Sequence, residues 1–203
     1  MNDFYAFEAL DEIKQKKIIN VSMQEFVKGG YEKASMNNLV QAAGISKGSL
    51  FYYFKNKKTL YLYLVSYTMT RVKEQTLRSS NSYDDDFINR LHISMKGNVE
   101  LIDKYPLIFA FMRGFKSERS VKVCDDILKI LSLYSEELFK ELYKGIDKSF
   151  FKDNIEIELA IYAIKATLFQ QLHEYIRSGK SDKKAVLDKL EEYAGHFRQV
   201  YYK

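Results

Sequence analysis

Small, polar and cationic residues lie close together between positions 44 and 58. Lys47, Gly48 and Ser49 form a compact triplet, and Tyr52 follows one helical turn later. The stretch contains four lysines and no acidic residue. Ammonium, hydroxyl and phenol groups donate hydrogen bonds to phosphate oxygens, and unneutralised positive charge attracts a polyanion. The stretch therefore predicts a nucleic-acid contact.

A helix-turn-helix pattern positions these groups. Residues 36–43 have the apolar spacing of a helix of about two turns, and Gly44 suits the left-handed conformation in which helices often end. Ser46 is expected to cap the next helix through its hydroxyl. Such a turn joins two helices so that the second can enter a DNA major groove.

We expect the first turn of that second helix to be the part offered to DNA. Ser49 is the predicted base-facing hydroxyl, and Tyr52 and Tyr53 are the predicted backbone contacts, with no basis for choosing between the two rings. The N-terminus of the following helix, with Lys57, is expected to hold a phosphate. The predicted DNA-contacting residues are Ser35, Ser46, Lys47, Gly48, Ser49, Tyr52, Tyr53 and Lys57.

A family resemblance covers residues 18–64. With Phe26 and Gly30-Tyr31 ahead of the turn and AAGISKGSLFYYFKNKKTL across it, this stretch resembles the N-terminal DNA-binding domain of the TetR family of transcriptional regulators. The resemblance implies a three-helix DNA-binding head, assigned to residues 1–56, and an all-helical effector-binding and dimerisation domain, assigned to residues 57–203. It also implies a homodimer on a palindromic double-stranded operator.

Three positions depart from the family pattern. Phe51 stands where the family usually has a Tyr that bonds a phosphate, so that contact is not expected here. Asn38 stands in place of a usual acidic residue, which removes a possible capping box with Ser35. Val40 replaces a usual Ala.

Composition favours an all-α globular chain. Of 203 residues, 46% are hydrophobic and 29% are charged, and one proline with nine glycines leaves few helix breakers. The net charge is only +5, but residues 14–58 contain nine Lys or Arg against two acidic residues. Positive charge concentrated in one module favours a nucleic-acid-binding face over an ordinary solvated surface.

Three features favour a cytoplasmic location. Cys124 is the single cysteine, so no intrachain disulfide can form. The opening residues 1–13 are acidic and lack the basic start of a signal peptide. The longest uninterrupted apolar stretch, residues 107–112, is too short to cross a bilayer. We therefore expect no membrane partner.

The remaining pattern predicts helices to the end of the chain, about nine in all. Phe4, Phe7 and Leu10 fall at helical spacing, so the opening segment either extends the first helix or docks on the protein itself. Its acidity argues against a minor-groove arm. Predicted helices cover about residues 11–28, 36–43, 47–54, 57–78, 85–103, 106–115, 120–144, 154–178 and 182–201, with a linker at 79–86.

The second domain is expected to supply a subunit contact and an effector site. The helix near 154–178 is apolar on more than one side, so it should pack on its own core and on a partner. The resemblance implies a four-helix bundle formed by this helix, the one near 182–201, and their copies. Aromatic residues, each by default a core residue, could border a pocket for a small hydrophobic or amphipathic effector. The candidates are Phe87, Phe109, Met112, Phe115, Tyr134, Phe169 and His173.

Catalysis is not expected. The three histidines have no metal-ligand spacing, and no nucleophile elbow or phosphate-binding glycine loop is present, so neither metal nor cofactor is predicted. We predict a homodimeric one-component regulator, a repressor released from its operator by the effector. One alternative is a DNA-binding protein that is ligand-independent or regulated by a protein partner. Another is a small-molecule carrier without specific DNA binding.

Overall fold

The computed structural model describes residues 4–79, 86–178 and 182–203. These residues confirm the all-α prediction, since 83% of the described residues are helical and none of them forms a strand. The α-helices are α1 Tyr5–Glu8, α2 Glu12–Lys33, α3 Met36–Ala43, α4 Lys47–Phe54, α5 Lys57–Ser79, α6 Phe87–Lys104, α7 Pro106–Lys116, α8 Cys124–Tyr143, α9 Ile157–Ser178 and α10 Lys183–Tyr201, with a 3-10 turn at Lys148–Phe150.

The predicted caps of the helix-turn-helix are present. The Ser35 hydroxyl accepts a hydrogen bond from the Asn38 amide at 3.3 Å, which begins α3. Gly44 ends α3 in the left-handed conformation, with φ 70° and ψ 35°. The Ser46 hydroxyl then accepts from the Ser49 amide at 2.9 Å, which begins α4. Local hydrogen bonds therefore set the spacing of the two helices.

Helix α2 breaks at Gly30, close to the predicted end of the helix near residue 28. Gly30 has φ 60° and ψ −173°, a non-helical conformation that L side chains rarely adopt, and one further turn follows it up to Lys33. The capping box that Asn38 could not complete is replaced from α2. The Glu25 carboxylate accepts from the Ser35 amide at 2.7 Å. Glu25, ten residues before Ser35, thus makes the hydrogen bond that an acidic residue at position 38 would make in a capping box.

By packing, the chain divides into two units. The head unit comprises Met1–Met69 and Pro106–Ser132, and the second unit comprises Thr70–Tyr105 and Leu133–Lys203. Helices α5 and α8 therefore each contribute residues to both units. This division differs from the predicted functional boundary between residues 56 and 57, which stays a prediction.

The head unit includes α7 because aromatic rings join it to the DNA-binding helices. The Phe26 and Tyr61 ring centroids are 4.7 Å apart. Phe111 of α7 lies 5.5 Å from Tyr61 and 6.3 Å from Phe26. All three side chains are buried, and this burial of apolar area favours keeping α2, α5 and α7 together.

The second unit is built on contacts among α6, α9 and α10. Its interior contains Leu91, Ile164, Leu168, Leu190 and Ala194, all at most 1% exposed. Arg90 is equally buried, and its guanidinium donates to the carbonyls of Leu142 at 3.0 Å and Lys144 at 2.7 Å. It thus satisfies acceptors at the end of α8, next to Gly145, whose φ is 68°.

Most predicted helix boundaries agree with the structure to within a few residues, and α1 is the added element. The centre of the predicted linker at 79–86, and the break near 179–181, lie outside the described residues. Among the helices of the described part, none is long and apolar enough to cross a membrane.

Candidate nucleic-acid interface

One stripe of α4 faces solvent. Gly48 and Tyr52 lie four residues apart along it, the exposed Lys47 lies beside Gly48 in the first turn, and the exposed Lys55 follows α4 as its C-cap. On the opposite side, Leu50 and Phe54 are fully buried. The helix therefore presents Lys47, the Tyr52 phenol and a position without a side chain outward, a combination suited to phosphates and base edges.

The two tyrosines have different surroundings. The Tyr52 side chain is 75% exposed. Tyr53 is half-buried, and its ring centroid lies 6.1 Å from that of Phe7 and 6.4 Å from that of Phe54. Exposure thus favours Tyr52 as the residue that reaches a partner, whereas Tyr53 packs partly inward.

The two serines of the first turn are bonded to each other. The hydroxyls of Ser46 and Ser49 are 2.8 Å apart, and Ser46 also accepts from the Ser49 amide. Ser49 is half-buried, so its hydroxyl belongs to the capping turn and would have to share this bond with any base edge. A hydroxyl has two acceptor lone pairs and one donor, which permits such sharing.

Lys57 is bonded inside the head unit. Its ammonium donates to the carbonyls of Glu32 at 3.0 Å and Ala34 at 2.7 Å, and lies 5.2 Å from the Tyr31 ring centroid. Burial lowers the pKa of Lys57, and the Glu32 carboxylate partly offsets this. The predicted phosphate contact of this side chain therefore has two protein acceptors as competitors, and it stays a prediction.

A tight turn joins α4 to α5. Lys55 has φ 60° and ψ −50°, which is uncommon for a residue with a Cβ. The Asn56 side chain then accepts from the Thr59 amide at 2.9 Å, so it caps α5. Strain of this kind, of the order of 1–3 kcal/mol, persists only where surrounding packing determines the backbone.

Two supporting residues were missed by sequence reasoning. Glu25 bonds the amide of Ser35, and Glu118 bonds the amide of Tyr31 at 3.0 Å, although 87 residues separate the last two. No local pattern marks either carboxylate, because each acts on a backbone amide in another element. Phe7 is different, since the sequence predicted its helical spacing with Phe4 but not that its ring would pack against α4.

The candidate effector residues are divided between the two units. Phe109, Met112 and Phe115 are buried in the head unit. In the second unit, the Phe87 ring stacks on the Tyr143 ring with centroids 5.3 Å apart, and the Phe169 centroid lies 5.4 Å from that of Phe139. The Tyr134 hydroxyl forms a 2.7 Å hydrogen bond with the Thr70 hydroxyl. His173 is exposed on α9. Their role as an effector site stays a prediction.

The described residues contain no group of three or more His, Cys, Asp or Glu side chains that could hold a metal ion.

Residues 18–64 match the family model of bacterial regulatory proteins, tetR family. The HTH-type transcriptional regulator QacR of Staphylococcus aureus is 34% identical over 59 residues, which is 29% of this chain and 31% of that relative. That match thus spans about a third of the relative's length. The fatty acid metabolism regulator protein of Bacillus subtilis is 20% identical over 177 residues, covering 80% of this chain and 84% of the relative.

Solved structures show that the similarity in fold extends over nearly the whole chain. The fatty acid degradation regulator FadR from Bacillus halodurans has a TM-score of 0.69 at 20% identity, covering 88% of this chain and 96% of its own. FadR from Bacillus subtilis, in complex with stearoyl-CoA, has a TM-score of 0.63 at 17% identity with the same coverage.

The capped two-helix turn and the family-model match define a helix-turn-helix DNA-binding domain in residues 18–64. Residues 18–64 thus match the DNA-binding region of tetR family regulators, and the relatives and solved structures that resemble the chain are named as transcriptional regulators.

A substitution at Gly48 can test the DNA contact without disturbing the fold. A Cβ added there would meet only the Ser46 hydroxyl at 3.7 Å, an ordinary contact, so Gly48→Ala should leave stability unchanged or raise it by about 0.5–1 kcal/mol. If DNA approaches this turn closely, the added methyl should weaken binding by about 1.4–2.8 kcal/mol, roughly ten- to hundredfold. Thermal unfolding and titration of a duplex selected from a random pool measure the two effects.

Gly114→Ala is the matched control. Gly114 lies in α7, and an added Cβ would meet nothing within 4 Å. It should gain similar stability and retain full affinity. Equal affinity of the Gly48 and Gly114 variants would remove the first turn of α4 from the interface.

Proposed function

We propose that the chain is a homodimeric repressor that lays α4 of each subunit in a major groove of a palindromic operator and leaves it when a small effector binds. The exposed side of α4, formed by Lys47, Gly48 and Tyr52, supports the proposal most directly. The two half-sites would lie about one helical turn, roughly 34–36 Å, apart.

Lys47 tests the DNA contact. It is exposed at the first turn of α4, with its ammonium 6.0 Å from the Phe51 ring centroid. Lys47→Ala should weaken binding to selected and unrelated duplexes alike and reduce the slope of log affinity against log salt by about 0.9, the value for one phosphate contact. Fluorescence anisotropy between about 50 and 200 mM salt measures this slope.

Lys184→Ala is the control, because it removes the same charge from the exposed start of α10. Its slope should equal that of the unmodified protein. An unchanged slope for Lys47→Ala would exclude Lys47 from the interface, and an unmodified protein that does not bind duplex DNA would favour the carrier alternative.

We infer the subunit contact from the exposed faces of α9 and α10. Leu159 is 65% exposed and Tyr162 is 62% exposed on α9, three residues apart and so on one side of the helix. An open groove of about 660 Å³ runs along α10, lined in part by Glu192, Gly195 and His196. A Cβ at Gly195 would meet nothing within 4 Å, so a second backbone could approach there. Large apolar side chains left at the surface often mark a protein interface.

Substitution at the α9 surface tests this contact better than truncation, because α10 carries core residues such as Leu190 and Phe197. The double variant Leu159→Glu, Tyr162→Glu should become monomeric at micromolar concentration and lose operator affinity, because buried unpaired carboxylates are unfavourable. Sedimentation and light scattering measure the oligomeric state.

Leu128→Glu, at a residue of α8 that is 64% exposed, is the matched control and should remain dimeric. A double variant that is as dimeric as this control would place the subunit contact elsewhere.

For the effector, we propose a long-chain acyl thioester of coenzyme A. The relatives named as fatty acid regulators, and the neighbour in complex with stearoyl-CoA, motivate this choice. The second unit offers aromatic rings for an acyl chain, since Phe139 lies 5.9 Å from Tyr143 and 5.4 Å from Phe169, with all three half-buried. Lys165, whose ammonium is 4.3 Å from the Phe139 centroid, adds a cation beside them.

Stearoyl-CoA should release the protein from its selected duplex, whereas coenzyme A alone should not, because most of the differential affinity comes from the apolar chain. Phe169→Ala should raise the stearoyl-CoA concentration needed for release by about tenfold, from the loss of roughly 1.4 kcal/mol of contact. Operator affinity without ligand should stay unchanged. Absence of any stearoyl-CoA effect would reject this effector class and leave DNA binding intact.

A further inference from the structure

Two aromatic residues outside the family-matched stretch lie against the inner side of α4. Phe7 is fully buried, and its ring centroid is 4.7 Å from that of Phe54, the last residue of α4. Phe7 also lies 6.1 Å from Tyr53 and 5.4 Å from Tyr63 of α5. Phe4 adds contacts of 4.7 Å to Tyr63 and 6.0 Å to Phe54.

Helix α4 depends on such packing for its position. It has eight residues, which is too short to be stable alone, so its orientation comes from the side chains it buries. Phe54 is 1% exposed, and three of its ring neighbours are Phe4, Phe7 and Tyr63. Two of these three come from the first seven residues of the chain. Without them, one side of Phe54 would be uncovered.

The segment that carries these rings is itself anchored. The Gln15 side chain of α2 donates to the carbonyls of Glu8 at 3.0 Å and Leu10 at 2.7 Å. The Asp11 carboxylate accepts from the Lys14 amide at 2.8 Å and begins α2 directly afterwards. Side chains of α2 therefore fix the end of α1, and α1 in turn covers Phe54.

We propose that residues 4–10 are a positioning element of the DNA-reading helix: Phe7, supported by Phe4, sets the orientation in which α4 presents Lys47 and Tyr52 to a duplex. The proposal rests on the proposed DNA contact of α4. Phe7 is buried and Glu8 is acidic, so the segment contributes no phosphate contact of its own. Its effect should therefore be on specific recognition, which needs exact side-chain placement, more than on charge-driven non-specific binding.

The test compares Phe7→Ala with Tyr5→Ala, since Tyr5 lies on the same short helix but is 75% exposed. With a duplex selected from a random pool, Phe7→Ala should lower affinity by at least about tenfold, whereas unrelated duplex should lose less than about threefold. The salt slope on unrelated duplex should be unchanged, because the lysines of the head unit keep their charges and non-specific binding does not need exact side-chain placement. Tyr5→Ala should match the unmodified protein in all three measurements.

Hydrogen exchange gives a readout independent of DNA. In Phe7→Ala, the amides of α4 should exchange faster, while those of α6 and α10 should keep their protection. Phe7→Leu keeps most of the apolar volume and should recover most of the affinity and protection. It also serves as the working variant if Phe7→Ala does not fold, with a smaller loss in the same direction.

Two results would overturn the proposal. They are unchanged affinity in Phe7→Ala and an equal loss of affinity for selected and unrelated duplexes. An unmodified protein that binds no duplex would instead overturn the proposed function itself, so the two failures are distinguishable.

Discussion

The head unit depends on satisfying the backbone groups that are freed where α2 breaks at Gly30. Past this residue the helix cannot supply all the partners for its amides and carbonyls, and buried groups without partners cost about 1–3 kcal/mol each. Side chains of α2 itself and of other elements supply partners for these groups and for the residues that follow them. Glu25 accepts from the Ser35 amide, Glu118 accepts from the Tyr31 amide, and Lys57 donates to the Glu32 and Ala34 carbonyls.

These bonds tie several elements of the head unit to the same short segment of backbone. Glu118 also accepts from the amides of Arg119 and Ser120, each at 2.9 Å, so one carboxylate orders both the end of α2 and the approach to α8. The Glu32 side chain accepts from Ser120 at 2.6 Å and from Lys122 at 3.0 Å, and these hydrogen bonds lower the pKa of its carboxyl. Residues 117–122 thus belong structurally with the DNA-binding helices.

Hydrogen bonds and ion pairs within the head unit also determine which lysine side chains are available to contact a polyanion. A local excess of positive charge was visible in residues 14–58, but its members have different surroundings. Lys57 is directed at carbonyls, and Lys58 pairs with Asp126 at 2.7 Å. Lys47 remains exposed on α4. The field at the proposed interface is therefore shaped by hydrogen bonding within the head unit as well as by the number of lysines.

The sequence by itself determined the helices and the turn between α3 and α4, because Ser35, Gly44 and Ser46 act within four residues of their targets. Tertiary structure decided which groups face outward and what supports them. Tyr52 and Tyr53 are neighbours in sequence, yet the structure distinguishes them, because Tyr53 packs inward against Phe7 and Phe54. Pairings such as Glu118 with Tyr31 have no local pattern, since they form only when folding brings distant segments within hydrogen-bond distance.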